Sequence, residues 1–156
     1  MAKRYLKPVY NQIYGKEFSG NSFAARMEMQ KGVYLLQEIG FTVGDYDFMW
    51  YKHGPYSQKL QDDILTLGVE PEESINFTQE ALKAMQKLGD ILNMDVEYDR
   101  SEWAECMASL QYLKANVFSF DATDEEIIDE LMRRKPHLKN RELNKSAINY
   151  LKELLS

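Results

Sequence analysis

Cys106 is the only cysteine, so no intrachain disulfide can form, and the chain suits a reducing compartment; cytoplasmic residence is the expectation. Histidine is equally scarce. His53 and His137 are the only two, and with one cysteine and no paired ligand spacing they predict no zinc site, nor is any other cofactor expected. Long apolar runs are missing as well: nothing approaches the roughly eighteen residues of a spanning helix, and Met1-Ala2-Lys3-Arg4-Tyr5 leads into no apolar stretch of the kind an export signal needs. No partnership with a membrane is expected. Internal repeats and low-complexity tracts are absent. Lysine and arginine number 19 against 25 acids, for a net charge of −6, which disfavours generic nucleic-acid binding, since that activity rests on cations neutralising phosphates.

What remains is globular composition, 44% apolar, 12% aromatic and 28% charged over 156 residues, enough for one domain with its own core. Residues 1–156 are read as that single domain: an N-terminal extension and loop at 1–22, a helix, strand, corner and helix region at 23–93, and C-terminal helices at 94–156.

In the extension, Leu6, Tyr10, Ile13 and Tyr14 have helical spacing, with Pro8 limiting a helix to the part that follows it. Phe18 to Ser22 reads as a loop, with Asn21 or Ser22 as N-cap of a helix from Phe23 to Ile39 carrying Met29, Val33, Leu36 and Ile39; Gly40 stops it. Between Tyr46 and Lys52 the chain alternates, Tyr46, Phe48, Trp50 and Lys52 on one face and Asp47, Met49 and Tyr51 on the other, which predicts a strand. Gly54 is then a corner and Pro55 a first helical residue, opening a helix from 56 to 67 with Leu60, Ile64 and Leu67 on one face. Pro71-Glu72-Glu73 is a turn, and Ile75-Asn76-Phe77 a short second strand to pair with the first.

Thr78 caps a helix from 79 to 93 through Leu82, Met85, Leu88 and Leu92, and Asp99 with Glu102 starts one from 100 to 117 through Trp103, Met107 and Leu110. Thr123 with Glu126 is a capping box for a helix through Ile127, Ile128 and Leu131 that ends before Pro136; a last helix, 139 to 154, carries Leu143, Ala147, Ile148 and Leu151. The expected fold is mainly α, six or seven helices with a small two-stranded β ribbon, winged-helix-like in type.

Two stretches are candidate sites. Lys52, His53, Gly54, Tyr56 and Ser57 surround an expected helix start, where free amides beside a lysine and a histidine attract an anion or an acidic partner group. A single glycine there, in place of the several in phosphate-binding loops, equally suits a purely structural corner. The other stretch holds Arg133, Arg134, Lys135, Lys139, Arg141 and Lys145 with one anion, Glu142, a surface for nucleic acid or an acidic partner. Cys106 lies between Trp103 and Leu110 with no histidine near it in sequence and reads as a buried thiol. Asp95 to Asp99 alternates acids like a calcium loop but has Arg100 and Cys106 where glycine and glutamate are needed. No catalytic residue is assigned.

The set Arg26, Gln30-Lys31, Val33-Tyr34-Leu35-Leu36 and Lys52-His53-Gly54-Pro55-Tyr56-Ser57 with Leu60 resembles an uncharacterised prokaryotic family, the YwgA-like proteins. Ala108 to Leu113, Glu125 to Ile128 and Arg134-Lys135-Pro136 extend the likeness over roughly residues 23 to 152. Gly32 departs from the pattern, which prefers a large aliphatic residue there. More distantly the chain is similar to the antitoxin-associated Panacea domains, which share the Gln-Lys helix and the Gly-Pro corner. That likeness implies a protein partner in toxin neutralisation or phage-related defence. The leading expectation is thus a non-enzymatic protein-interaction module, with a protein partner or a second copy of itself. The alternative is a DNA-binding regulator using the 133–145 cluster.

Overall fold

The computed structural model describes residues 2–68, 75–119 and 121–156. Seven α-helices and one two-stranded antiparallel sheet occupy them, in the order α1 (Leu6–Tyr14), α2 (Phe23–Ile39), β1 (Met49–Tyr51), β2 (Gly54–Tyr56), α3 (Gln58–Leu65), α4 (Gln79–Leu92), α5 (Arg100–Tyr112), α6 (Asp124–Arg134) and α7 (Arg141–Leu155). The mainly α reading with a small ribbon holds. None of the helices among the described residues is long and apolar enough to cross a membrane.

Caps account for most helix starts. Ser22, Ser57, Thr78, Asp99, Thr123 and Asn140 each accept a backbone N–H with the side chain, and Asp99 with Glu102 and Thr123 with Glu126 complete reciprocal capping boxes. The 100 to 117 helix is α-helical only to Tyr112 and continues as five residues of π-helix, Leu113–Val117. The last helix begins at Arg141 rather than 139, because Asn140 is its cap.

At the N-terminus the sequence expectation needs correcting. Helix α1 starts before Pro8, in whose place in the first turn an amide has no intrahelical acceptor to lose. Nor is this segment a peripheral extension: Leu6, Val9, Tyr10, Ile13 and Tyr14 are all buried, packed chiefly on α4. The Tyr14 ring explains Gly32, since a Cβ there would stand 3.3 Å from Tyr14 Cε2. Tyr14 also donates its hydroxyl hydrogen to Glu28 O at 2.7 Å.

Helix α5 is the central element. Trp103, Ala104, Cys106, Met107, Ala108 and Leu110 are buried, with α2 on one side and α7 on another, and Trp103 Nε1 donates to Ile91 O at 2.8 Å. Its opposite face turns Glu105 and Ser109 toward the ribbon, one helical turn apart.

The ribbon departs most from expectation. Strand β1 pairs with Gly54–Tyr56, which the sequence reading had placed in a corner and a helix start; Ile75, Asn76 and Phe77 form no strand. Lys52 and His53 make the tight turn, closed by Gly54 at φ +89°, and a local hairpin of this kind costs far less loop entropy than pairing across some twenty residues. Pro55 therefore lies in a strand, and α3 begins at Gln58 with Ser57 as its cap, not at 56. The turn expected at Pro71-Glu72-Glu73 falls outside the described residues. The alternation holds over 46–51, Tyr46 buried and Phe48 and Trp50 partly so while Asp47, Met49 and Tyr51 are exposed, but only Met49–Tyr51 is strand and Lys52, expected on the first face, is exposed in the turn.

Gly89 tests the α1–α4 packing. A Cβ on it would overlap Ile13 O, which also accepts from Asn93 Nδ2 at 2.9 Å. Alanine at 89 gains about 1 kcal/mol of helix propensity, yet Gly89→Ala should destabilise the fold by a net 1–3 kcal/mol, roughly, through overpacking. Urea unfolding measures it; a stabilised variant would contradict the packing described.

Candidate functional site

A two-stranded ribbon of three-residue strands is not stable alone, and its attachment defines the site. Because Pro55 has no N–H, Trp50 and Pro55 face each other as a pair without ladder bonds, so their backbone groups point out of the ribbon. On the β2 side those groups are met by side chains of α2. Lys31 Nζ donates to Pro55 O at 2.6 Å, Gln30 Nε2 donates to Ser57 O at 2.9 Å, and Gln30 Oε1 accepts from Ser57 N at 2.9 Å. Gln30 thus presents an amide to Ser57 as a neighbouring strand would. Both α2 side chains are fully buried.

The turn is fastened from elsewhere. Lys135 Nζ, from the segment after α6, donates to Tyr51 O at 3.2 Å and to Lys52 O, and pairs with Glu105 Oε2 at 3.6 Å. Glu105 gathers both histidines of the chain: its oxygens lie 3.2 Å from His137 Nε2, and Oε1 lies 3.8 Å from His53 Nδ1. Phe23, whose ring meets His53 edge-on at 5.4 Å, joins Met27, Ser101 and Glu102 in lining a cavity of about 150 Å³ with Glu105 and the histidines. Burial pushes the Lys31 ammonium down to about 7, Glu105 opposing the shift. Burial likewise lowers Lys135 and His53, again against the pull of Glu105.

These contacts redistribute the expected corner residues. Lys52 and His53 sit at the ribbon tip and Ser57 at its base, capping Leu60 N at 3.1 Å, so the lysine and histidine do not flank the free amides of α3. The anion cradle expected there is not assembled. Gly54 packs against Ser109, whose buried Oγ has no hydrogen-bond partner among the described residues, and a Cβ at 54 would overlap that oxygen. Tyr56 stacks with Tyr51, ring centroids 5.1 Å apart, on the outer face.

The basic run is largely spent within the fold. Arg133 and Arg134 pair with Glu130, whose carboxyl they hold down at about 2; Arg141 pairs with Glu125 and Asp129, and Lys145 with Glu125 at 3.9 Å. Lys135 is buried under the ribbon. Lys139 is the member with no ion pair among the described residues. Arg134 and Lys135 also lie 5.0 and 5.2 Å from the Trp50 ring.

Chemically, Glu105 can orient an imidazole, and among the described residues the hydroxyl that lines its cavity and the one thiol are both engaged. The Ser101 hydroxyl donates to Asp99 Oδ1 at 3.0 Å, and Cys106 is buried on another face, 3.4 Å from Asn144 Oδ1, its thiol pushed up by burial. Sequence reasoning assigned no role to Gln30, Lys31 or Glu105, or to the outward Met49 and Tyr51. The signal for the first two was already in the Gln-Lys pair that accompanies the Gly-Pro-Tyr-Ser stretch.

Comparison with family models, with curated proteins and with solved structures gives no match. Gln30-Lys31 and the backbone of Pro55 and Ser57 form one hydrogen-bonded junction.

Two measurements probe that junction. Gly54→Ala should cost on the order of 1–3 kcal/mol, through strained φ and the overlap with Ser109, whereas Lys52→Ala, at an exposed side chain, should stay within about 0.5 kcal/mol; equal losses in thermal melts would make Lys52 structural. For Lys31, a folded value near 7 against an ordinary 10.5 means that unfolding takes up a proton between these pH values. Stability therefore rises with pH through this window and is lost as pH falls through about 7. Lys31→Met should flatten that rise between about pH 7 and pH 9; an unchanged slope in denaturant titrations would refute the assignment.

Proposed function

We propose that the protein is an interaction module, acting by binding another protein rather than by turning over a substrate, and that its partner docks on the outer face of the ribbon. The contrast between the two faces supports this reading. Inward, the ribbon is held by buried Gln30, Lys31 and Lys135 and by the Trp50 ring against Arg134 and Lys135; outward, Met49 is 70% and Tyr51 52% exposed. Apolar side chains on a rigid platform lose little freedom when a partner covers them, and clustered exposed apolar surface marks interaction sites. Asp45, Asp47, Met49, Trp50, Tyr51, Tyr56 and Lys59 line a groove of about 420 Å³ on this side.

Resemblance to antitoxin-associated domains supplies a class of partner, a toxin-like protein in a cytoplasmic defence setting. The DNA-binding alternative is less favoured, since five of its six cations already have intramolecular partners. Affinity capture from the native host, wild type beside a Met49→Asp/Tyr51→Asp double variant, tests the reading. The wild type should retain a protein partner that the double variant loses, with melting temperatures matched. Failure to capture any partner above background, or equal capture by both, would overturn it.

A further inference from the structure

The two long edges of the ribbon are treated differently. On β2, the outward groups of Pro55 and Ser57 are closed by Lys31 and Gln30. On β1, alternation along the ladder turns the N–H and C=O of Trp50 outward, and among the described residues neither has a hydrogen-bond partner; the N–H and C=O of Phe48, just before the strand, have none either. Strand β2 is the one that packs on α2 and α5, so β1 is the edge left open. Unmatched donors and acceptors at every second residue form a template that only extended backbone fits, because a strand repeats its outward groups at that spacing.

We infer that the free edge of β1 takes an extended, basic segment of the partner protein as a third strand of the ribbon. This rests on the docking reading above and deepens it by naming the mode and the chemistry. Charge defines the occupant. The groove beside β1 is lined by two exposed acids, Asp45 and Asp47, with no ion pair among the described residues, against one cation, Lys59, whose Nζ donates to Asp45 O at 3.1 Å. An incoming strand with lysine or arginine would neutralise them, and its alternate apolar residues would continue the surface of Met49, Tyr51 and Tyr56. An acidic strand would be repelled. A helix would leave the backbone groups of Trp50 unmet.

The test is selection of random peptides, roughly twelve residues long, displayed against the full chain. Enriched sequences should alternate apolar with lysine or arginine. Bound as synthetic peptides, they should slow hydrogen exchange at the Trp50 amide, and N-methylation of alternate peptide amides should abolish binding. Asp45→Lys/Asp47→Lys should weaken them about tenfold or more with an unchanged melting temperature. Enrichment no greater than on that double variant, enrichment of acidic or helix-periodic peptides, an unprotected Trp50 amide, or tolerance of N-methylation would each overturn strand addition. If a partner is still captured while these arms fail, the docking face stands and only the mode falls.

Discussion

The buried junction between Gln30-Lys31 and the Pro55-Tyr56-Ser57 backbone is the constraint on which the rest of the site depends. Three-residue strands cannot hold themselves together, and every ladder group left unpaired in the interior costs about as much as a lost hydrogen bond. A third strand would normally close the β2 edge; here two side chains of α2 do so. Lysine in that position carries a desolvation cost, visible in its lowered proton affinity, which Glu105 on α5 partly offsets. Glu105 therefore serves α2, the turn and the segment after α6 together.

The helices were legible because their signals are local. Ser22, Thr78, Asp99 and Thr123 cap within three residues of themselves, and Gly40 ends α2 with left-handed backbone. Burial of Tyr46, Phe48 and Trp50 also followed from period-2 alternation, although the hydrogen-bonded strand is only three residues long. Pro55 misled for a physical reason: a residue suited to a first helical turn also suits a ladder position whose amide has nothing to donate to.

The site itself was much less legible, because it is made of long-range pairs. His53 and His137 lie 84 positions apart in the chain, and nothing in the sequence signals that α5 will place Glu105 between them. The basic run looked like a free surface for the same reason. Its neutralising acids, Glu125, Asp129 and Glu130, precede it on α6 and lie outside the run itself. Charge counted along a chain ignores the pairing that folding imposes.

Every hydrogen bond that Gln30, Lys31 and Lys135 make to the ribbon ends on a main-chain atom: Ser57 N and O, Pro55 O, Tyr51 O and Lys52 O. Main-chain atoms are the same whatever side chain they carry. The outward positions 47, 49, 51 and 56 can thus be rewritten without loosening what holds the ribbon down, so attachment and presentation are separable traits. A lineage or a designer could exchange the presented surface wholesale on an unaltered frame, provided that Gln30, Lys31, Lys135 and the glycine at 54 are left alone.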